Sequence, residues 1–308
     1  MSTTAVEKGD DTMQRCASCG VAEGDGIKLK KCTACYLVKY CSVNCQKEHR
    51  TKHKKECKKR AAELRDELLF KQPESSYLGD CPICCLPIPI NVNDGKKAVF
   101  ATCCSKLVCY GCDYANQKRE REGGLQRKCP FCRKAAPKTQ EQSDEQLMKR
   151  IEANDPNAIC FMGSRRFHER DFRAAFEYWT RASALGDVRS HFELSCLYGD
   201  GLGVEKDKKK ELDLLTEAAI GGHPDARHNL GCAEKENYRF DRAVKHWLIA
   251  AKLGFDHSLE CVKNSYKAGL VSKEDYTAAL RGYQVAIAAM KSPQREEAKV
   301  NAPNRVIF

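Results

Sequence analysis

The sequence contains no apolar run long enough to span a bilayer, which argues against a membrane protein. Its first thirteen residues are too polar to form the apolar core of a signal peptide, which argues against secretion. We therefore expect a reducing compartment, either the cytoplasm or the nucleus. There, closely spaced cysteines are typical of metal sites, and a secreted disulfide framework is the weaker alternative.

Fifteen cysteines and one histidine in the first half of the chain form two sets of eight, mostly as C-x-x-C and similar short pairs. A C-x-x-C turn presents two thiolates to one tetrahedral zinc ion, and four such ligands close a structural site. Sixteen ligands therefore predict four zinc ions, two for each set. The first set is Cys16, Cys19, Cys32, Cys35, Cys41, Cys45, His53 and Cys57. The second set is Cys81, Cys84, Cys103, Cys104, Cys109, Cys112, Cys129 and Cys132.

The formal charge of +11 would by itself suggest a nucleic-acid partner. Ligating cysteines bind as thiolates, however, so loading fifteen of them with four zinc ions lowers the net charge to about +4. The remaining basic excess is local, with eight lysines and arginines between Lys47 and Arg60. Such a run is typical of a solvated helix face, and a basic patch alone specifies little. Nucleic acid is thus the least favoured partner.

A repeated pattern occupies the second half of the chain. The blocks 158–163, 190–195 and 226–231 align with steps of 32 and 36 residues, a period typical of a solenoid of helix pairs. Small residues let paired helices approach closely, and a glycine ends each second helix. The second helices share an alanine at one aligned position: Ala182, Ala218 and Ala250.

This pattern resembles the Sel-1-like repeat, a relative of the tetratricopeptide repeat. The fullest match is the loop from Tyr198 to Asp207, and the resemblance covers about residues 155–287. It implies a concave surface that binds proteins or peptides, and no catalytic residues. A degenerate fourth unit follows, in which Ser272 and Asp275 have the spacing of a capping box. Four cysteines here lack chelating spacing and are expected to be buried apolar residues: Cys160, Cys196, Cys232 and Cys261.

The first cysteine set resembles the MYND-type zinc finger, most closely at residues 40–46 and 49–57. The resemblance implies a module that docks short proline-containing peptides, although Arg50 stands where the family often has tryptophan. Methyltransferases also carry this finger, but no SET-like motif follows it here. The implied zinc sites are interleaved: Cys16, Cys19, Cys41 and Cys45 bind one ion, and Cys32, Cys35, His53 and Cys57 bind the other.

The spacing within this finger agrees with those pairs. Cys41 and Cys45, like His53 and Cys57, are four residues apart, which would place each pair on one face of a helix. His49 would share the face of His53, but four ligands already close each site. We therefore expect His49 to be structural or exposed.

The second set resembles an all-cysteine variant of the RING finger, carried by Cys81-Pro-Ile-Cys84 and Cys129-Pro-Phe-Cys132. Lys106 stands where the family histidine is usual, and the adjacent pair Cys103 and Cys104 completes the ligand count. Cys85 is left over and is expected to be a neighbour of the site. The implied cross-brace places Cys81, Cys84, Cys109 and Cys112 on one zinc, and Cys103, Cys104, Cys129 and Cys132 on the other.

A RING finger implies a ubiquitin-protein ligase, which has no nucleophile and acts by holding a charged conjugating enzyme beside a substrate. By resemblance, Ile83 and Pro130 would contact that enzyme, and Arg133 would bridge enzyme and ubiquitin through its planar donors. Alternatively, Ile83 belongs to the core and Arg133 is merely exposed. The chain is then a non-catalytic adaptor whose zinc is purely structural.

The expected fold class is mainly α, with two small zinc-binding modules followed by an α-helical repeat solenoid. The chain divides into a disordered segment at 1–14, a MYND-type finger at 16–57, a helix at 58–70, a linker at 71–80, a RING-like finger at 81–133, a connector at 134–154, Sel-1-like repeats at 155–290 and a tail at 291–308.

Overall fold

The computed structural model describes residues 15–24, 26–90 and 98–301, and the chain forms two compact units, Met1–Lys71 and Gln72–Phe308. The segment 1–14, predicted to be disordered, lies outside the described residues, as does the end of the predicted tail. Within the described ranges, no helix combines the length and apolar character needed to cross a membrane.

The first unit holds a two-stranded antiparallel sheet and one long helix. Strand β1 (Lys30–Lys31) pairs with β2 (Lys39–Tyr40), and α1 extends over Val43–Leu69. Ser42 caps α1 by accepting a hydrogen bond from the backbone N–H of Cys45 at 3.2 Å. The separate helix predicted at 58–70 is therefore the end of a longer one. It is continuous because neither proline nor glycine interrupts these 27 residues.

The second unit begins with the RING-like module. Strands β3 (Ala98–Ala101) and β4 (Lys106–Cys109) form an antiparallel hairpin, and α2 (Tyr110–Glu122) follows directly. A small core between them consists of Cys81, Ile88, Val108, Cys109 and Cys112. Three of these five residues are cysteines, so the module has little apolar surface to bury, and we expect its stability to depend on its metal centres.

Helices pack in pairs along the rest of the chain. The helices are α3 (Gln140–Glu152), α4 (Pro156–His168), α5 (Phe172–Ala184), α6 (Val188–Asp200), α7 (Lys208–Ile220), α8 (Pro224–Glu236), α9 (Phe240–Lys252), α10 (Asp256–Lys267), α11 (Lys273–Ala289) and α12 (Pro293–Asn301). The pairs α4 with α5, α6 with α7 and α8 with α9 make the most extensive contacts. Ser272 caps α11 by accepting from the N–H of Asp275 at 3.0 Å, which confirms the predicted cap.

The repeat glycines have a packing role in the first helix of a pair. A Cβ atom on Gly163 would lie 2.5 Å from Cδ1 of Trp179, so only glycine lets this indole ring lie against α4. Nε1 of Trp179 donates to the carbonyl of Cys160 at 3.2 Å, which satisfies the buried indole. The close approach recurs between α8 and α9, where a Cβ atom on Gly231 would lie 2.4 Å from Nε1 of Trp247.

Two predicted irregular segments contain helices. The connector at 134–154 holds α3, because Thr139 caps it and because Leu147 and Ile151 are buried in the core of the first repeat. The tail prediction is wrong for residues 293–301, which form α12. That helix buries only Arg295 and Ala298, so its sequence shows no apolar stripe and its stability comes from tertiary contacts.

Candidate metal centres

Among the described residues, four groups of thiol and imidazole side chains converge, two in each module. Within each group, the potential ligand atoms all lie within 4.8 Å of one another. The groups are the following: Cys16, Cys19, Cys41 and Cys45 form group 1; Cys32, Cys35, His53 and Cys57 form group 2; Cys81, Cys84, Cys109 and Cys112 form group 3; Cys103, Cys104, Cys129 and Cys132 form group 4. The structure thus brings together the sixteen residues selected from the sequence, in the sets that the two resemblances implied.

The distances between sulfur atoms fit a shared metal ion. Two thiolates bound to one tetrahedral zinc ion are about 3.8 Å apart, whereas the sulfurs of a disulfide are about 2.0 Å apart. The observed separations include 3.6 Å for Cys19 and Cys41, 3.7 Å for Cys84 and Cys109, and 3.4 Å for Cys103 and Cys132. The donor sets, thiolate alone or with one imidazole, are those of structural zinc sites.

Four of the five C-x-x-C pairs form turns that share one backbone geometry. In each, the residue after the second cysteine has a positive φ angle, and its N–H donates to the carbonyl of the first cysteine at 2.8–3.0 Å. Three of these residues are not glycines, so each of those three turns bears a conformational cost of about 1–2 kcal/mol. This geometry brings both thiols of each pair into one of the four groups. The four residues are Gly20, Tyr36, Cys85 and Arg133.

Cys85 therefore has a backbone role. Its φ is 55° and its side chain is exposed, outside all four groups. Lys106, at the position where the RING family usually has histidine, is also exposed and outside the groups. Group 4 instead uses Cys103 and Cys104 in the β3–β4 turn, which is closed by a hydrogen bond from Ser105 N–H to Ala101 at 2.8 Å.

In the first unit, the long helix supplies one side of both groups. Cys45, His53 and Cys57 all lie on α1. Nε2 of His53 is 3.1 Å from Sγ of Cys35, and its Nδ1 faces the carboxylate of Glu56 at 3.9 Å. A carboxylate behind a ligating imidazole favours the tautomer whose Nε2 binds metal.

The sequence led us to expect that Cys41 and Cys45 share a helix face and that His49 is not a ligand. Cys41 precedes the cap residue of α1, so it does not share a helix face with Cys45, although their sulfurs are 3.5 Å apart. His49 stands outside the groups. Its Nδ1 lies 3.1 Å from the hydroxyl of Tyr40 and its ring stacks on His53, so it buttresses the ligand.

The thiols of one group cannot all ionise on their own. Hydrogen bonding from Cys109 lowers the pKa of Cys81 to about 4, whereas burial raises the pKa of Cys112 to about 12. Burial opposes ionisation of Cys16, but backbone N–H groups, first that of Cys19, outweigh it and lower its pKa to about 6. Each group thus favours one thiolate and disfavours its neighbours. A zinc ion removes the conflict, because its two positive charges stabilise the deprotonated ligands.

The three residues predicted to contact a conjugating enzyme lie in the knuckles of groups 3 and 4. Ile83 is 40% exposed, which excludes the alternative that it belongs to the core. Pro130 is half-buried and Arg133 is exposed. Nη1 of Arg133 donates to Oδ1 of Asn116 on α2 at 2.9 Å. Asn116 gave no signal in the sequence, since its role depends on the fold.

The linker and the β3 strand contact the first helices of the repeats, which the sequence did not predict. The imidazole of His223 stacks between the rings of Tyr77 and Phe192, with centroid distances of 4.2 and 4.3 Å. Phe100 on β3 stacks on Phe161 of α4 at 4.4 Å. The RING-like module is therefore attached to the face that α4, α6 and the start of α8 present.

Comparison with known protein families identifies two of the three parts of the chain, the first cysteine module and the repeats. Residues 16–57 match the model of the MYND finger, and residues 158–187, 188–223 and 224–255 each match the model of the Sel1 repeat. These matches confirm both resemblances. No curated protein matches the chain.

The similar solved structures have low sequence identity to this chain. A Sel1 repeat protein from Oxalobacter formigenes is 18% identical with a TM-score of 0.44, over 60% of this chain and 75% of that one. A protective antigen with an SLR fold from uropathogenic Escherichia coli is 19% identical with a TM-score of 0.39, over 64% of this chain and 41% of that one. An immunity protein from Pseudomonas aeruginosa is 14% identical with a TM-score of 0.33, over 64% and 70%. The chain thus contains a zinc-binding MYND finger and three Sel1 repeats, both protein-interaction modules, with a second cysteine module of RING-like spacing between them.

Proposed function

We propose that the protein is a RING-type ubiquitin-protein ligase, in which the RING-like module recruits a conjugating enzyme. The observation that carries the proposal is the exposure of Ile83 and Arg133 on knuckles that belong to two different metal groups. An apolar side chain and a guanidinium, each fixed by a metal-bound turn, provide a rigid docking surface. Such rigidity matters because a ligase of this kind contributes only positioning.

Arg133 is suited to a bridging role by its own contacts. Its Nη1 is bound to Asn116, and among the described residues its remaining N–H groups have no partner. A guanidinium presents its donors in a planar fork, so one end can be anchored on α2 while the other meets carbonyl groups of a partner. Because the hydrogen bond to Asn116 already restricts the side chain of Arg133, docking would cost less side-chain entropy.

The repeats would then act first as a support for the RING-like module. Because Tyr77 stacks on His223, which caps α8, and Phe100 stacks on Phe161 of α4, part of the repeat surface is already occupied by the chain itself. The MYND finger and the remaining repeat surface are left to recruit substrate.

A second candidate is a non-catalytic adaptor, favoured by the two matched families, since the MYND finger and the Sel1 repeat are both protein-interaction modules. In that function the same exposed residues bind another protein, and all four zinc ions are structural. Both candidates require protein partners, and neither requires a nucleophile.

Autoubiquitination with a broad panel of conjugating enzymes separates the two candidates. We expect ubiquitin chains with at least one enzyme, and a loss of at least about tenfold in Ile83→Ala and Arg133→Ala. Leu125→Ala and Arg121→Ala are matched controls, since Leu125 is an exposed apolar residue of the same module and Arg121 an exposed arginine on α2. If the zinc-loaded protein forms no chains with any enzyme of the panel, the ligase proposal is wrong.

A further inference from the structure

The last described helix, α12, returns to the RING-like module and packs on α2. A Cβ atom on Gly111 would lie 2.8 Å from the backbone nitrogen of Arg295, so glycine is needed for this close approach. Lys118 on α2 also forms an ion pair with Glu297 at 2.7 Å. The two helices are therefore in direct contact although about 180 residues separate them in the sequence.

Arg295 carries a buried guanidinium to the edge of group 3. The residue is only 5% exposed. Nη2 lies 3.4 Å from Sγ of Cys84 and donates to the carbonyl of Leu86 at 3.1 Å. Nη1 donates to the carbonyls of Pro87 and Met290 at 2.7 and 2.6 Å. One arginine thus ties the end of the repeat array to the knuckle and to a ligand sulfur.

The charge of an all-cysteine centre explains why a cation belongs there. Four thiolates and one zinc ion leave a net charge of −2, whereas three thiolates, one imidazole and one zinc ion leave −1. Cys81, Cys109 and Cys112 are buried, so this negative charge is poorly solvated. Arginine remains protonated even when buried, and an N–H···S hydrogen bond to a thiolate is charge-assisted.

We propose that Arg295 is a positioning residue for the zinc centre of group 3, which it stabilises as a fixed counter-cation bound to Cys84. By this assignment, α12 is a functional part of the RING-like module although it follows the repeats. It leaves the docking side of α2 clear, because Asn116 lies about 140° around the helix from Gly111.

The test is the rate at which each ligand cysteine reacts with iodoacetamide in the presence of a zinc chelator, resolved by mass spectrometry of peptides. In Arg295→Gln we expect the four cysteines of group 3 to react about tenfold faster. This is the low end of the range of about 10–100-fold by which metal affinity falls when a hydrogen-bond partner of a ligand is removed. The cysteines of the other three groups serve as internal references and keep their wild-type rates. Arg295→Lys, which retains a cation, should fall between wild type and Arg295→Gln.

A further variant separates the proposed role from general packing. Lys118→Ala removes only the ion pair between α2 and α12, so it should leave the rates of group 3 at their wild-type values. Unchanged rates of group 3 in Arg295→Gln, or the same acceleration in all four groups, would overturn the proposal. The readout requires no ubiquitin, so it is independent of whether the chain is a ligase.

Discussion

The ring of Tyr77 stacks on the imidazole of His223 at a centroid distance of 4.2 Å with an interplanar angle of 13°. The backbone N–H of Tyr77 also donates to the carbonyl of Gly222 at 3.2 Å. A residue of the segment predicted as a linker is thus part of the packing of the second unit. The stack links the RING-like module to the repeats.

Tyr77→Ala should destabilise the second unit by about 2 kcal/mol, because it removes a half-buried ring and its stacking contact. Urea unfolding monitored by tryptophan fluorescence measures this change, since both tryptophans lie in the repeats. Tyr238→Ala is the control, because Tyr238 is 83% exposed. Equal effects of the two substitutions would mean that the stack does not stabilise the unit.

Gly163→Ala should destabilise the repeats by about 1–3 kcal/mol, because the new methyl group would meet the indole of Trp179. Gly199→Ala is a matched control on α6, where a Cβ would meet only the flexible carboxyl end of Glu211 at 3.2 Å. There the higher helix propensity of alanine should leave stability unchanged or raise it by up to about 1 kcal/mol. Thermal denaturation compares the two, and a Gly163→Ala protein as stable as wild type would contradict the packing described.

The repeats should lose stability as the pH falls below about 6.5. Burial first, and then the charge of His257, lowers the pKa of His228. The folded chain therefore binds a proton at His228 more weakly than the unfolded chain does. The stability that neutral His228 contributes is fully present above the unfolded pKa of about 6.5, and it declines as the pH falls below that value.

His228→Gln should reduce the difference in unfolding free energy between about pH 7.5 and about pH 5.5. His168→Gln, at an exposed position on α4, should retain the wild-type difference. Any acid-induced loss of zinc is common to all three proteins, so it cancels in the comparison. If His228→Gln responds to pH as wild type does, His228 is not the group responsible.

Features with a local signature could be predicted from the sequence, and features made by distant residues could not. Ligand spacing, the repeat period and the Ser272 cap are short patterns, and the family matches confirm the MYND finger and the Sel1 repeats. Arg295 and Asn116 are polar residues without any motif, and only the fold brings them to Cys84 and Arg133. For the same reason α12 resembled a tail, since a helix that buries an arginine has no apolar periodicity.

Native mass spectrometry of the full chain tests the four-centre assignment most directly. The structure predicts four zinc ions per chain, one for each group. Replacing both Cys84 and Cys109 with serine should reduce the count to three, because only group 3 loses ligands. A wild-type count of two would contradict the assignment, since two of the four groups would then bind no metal.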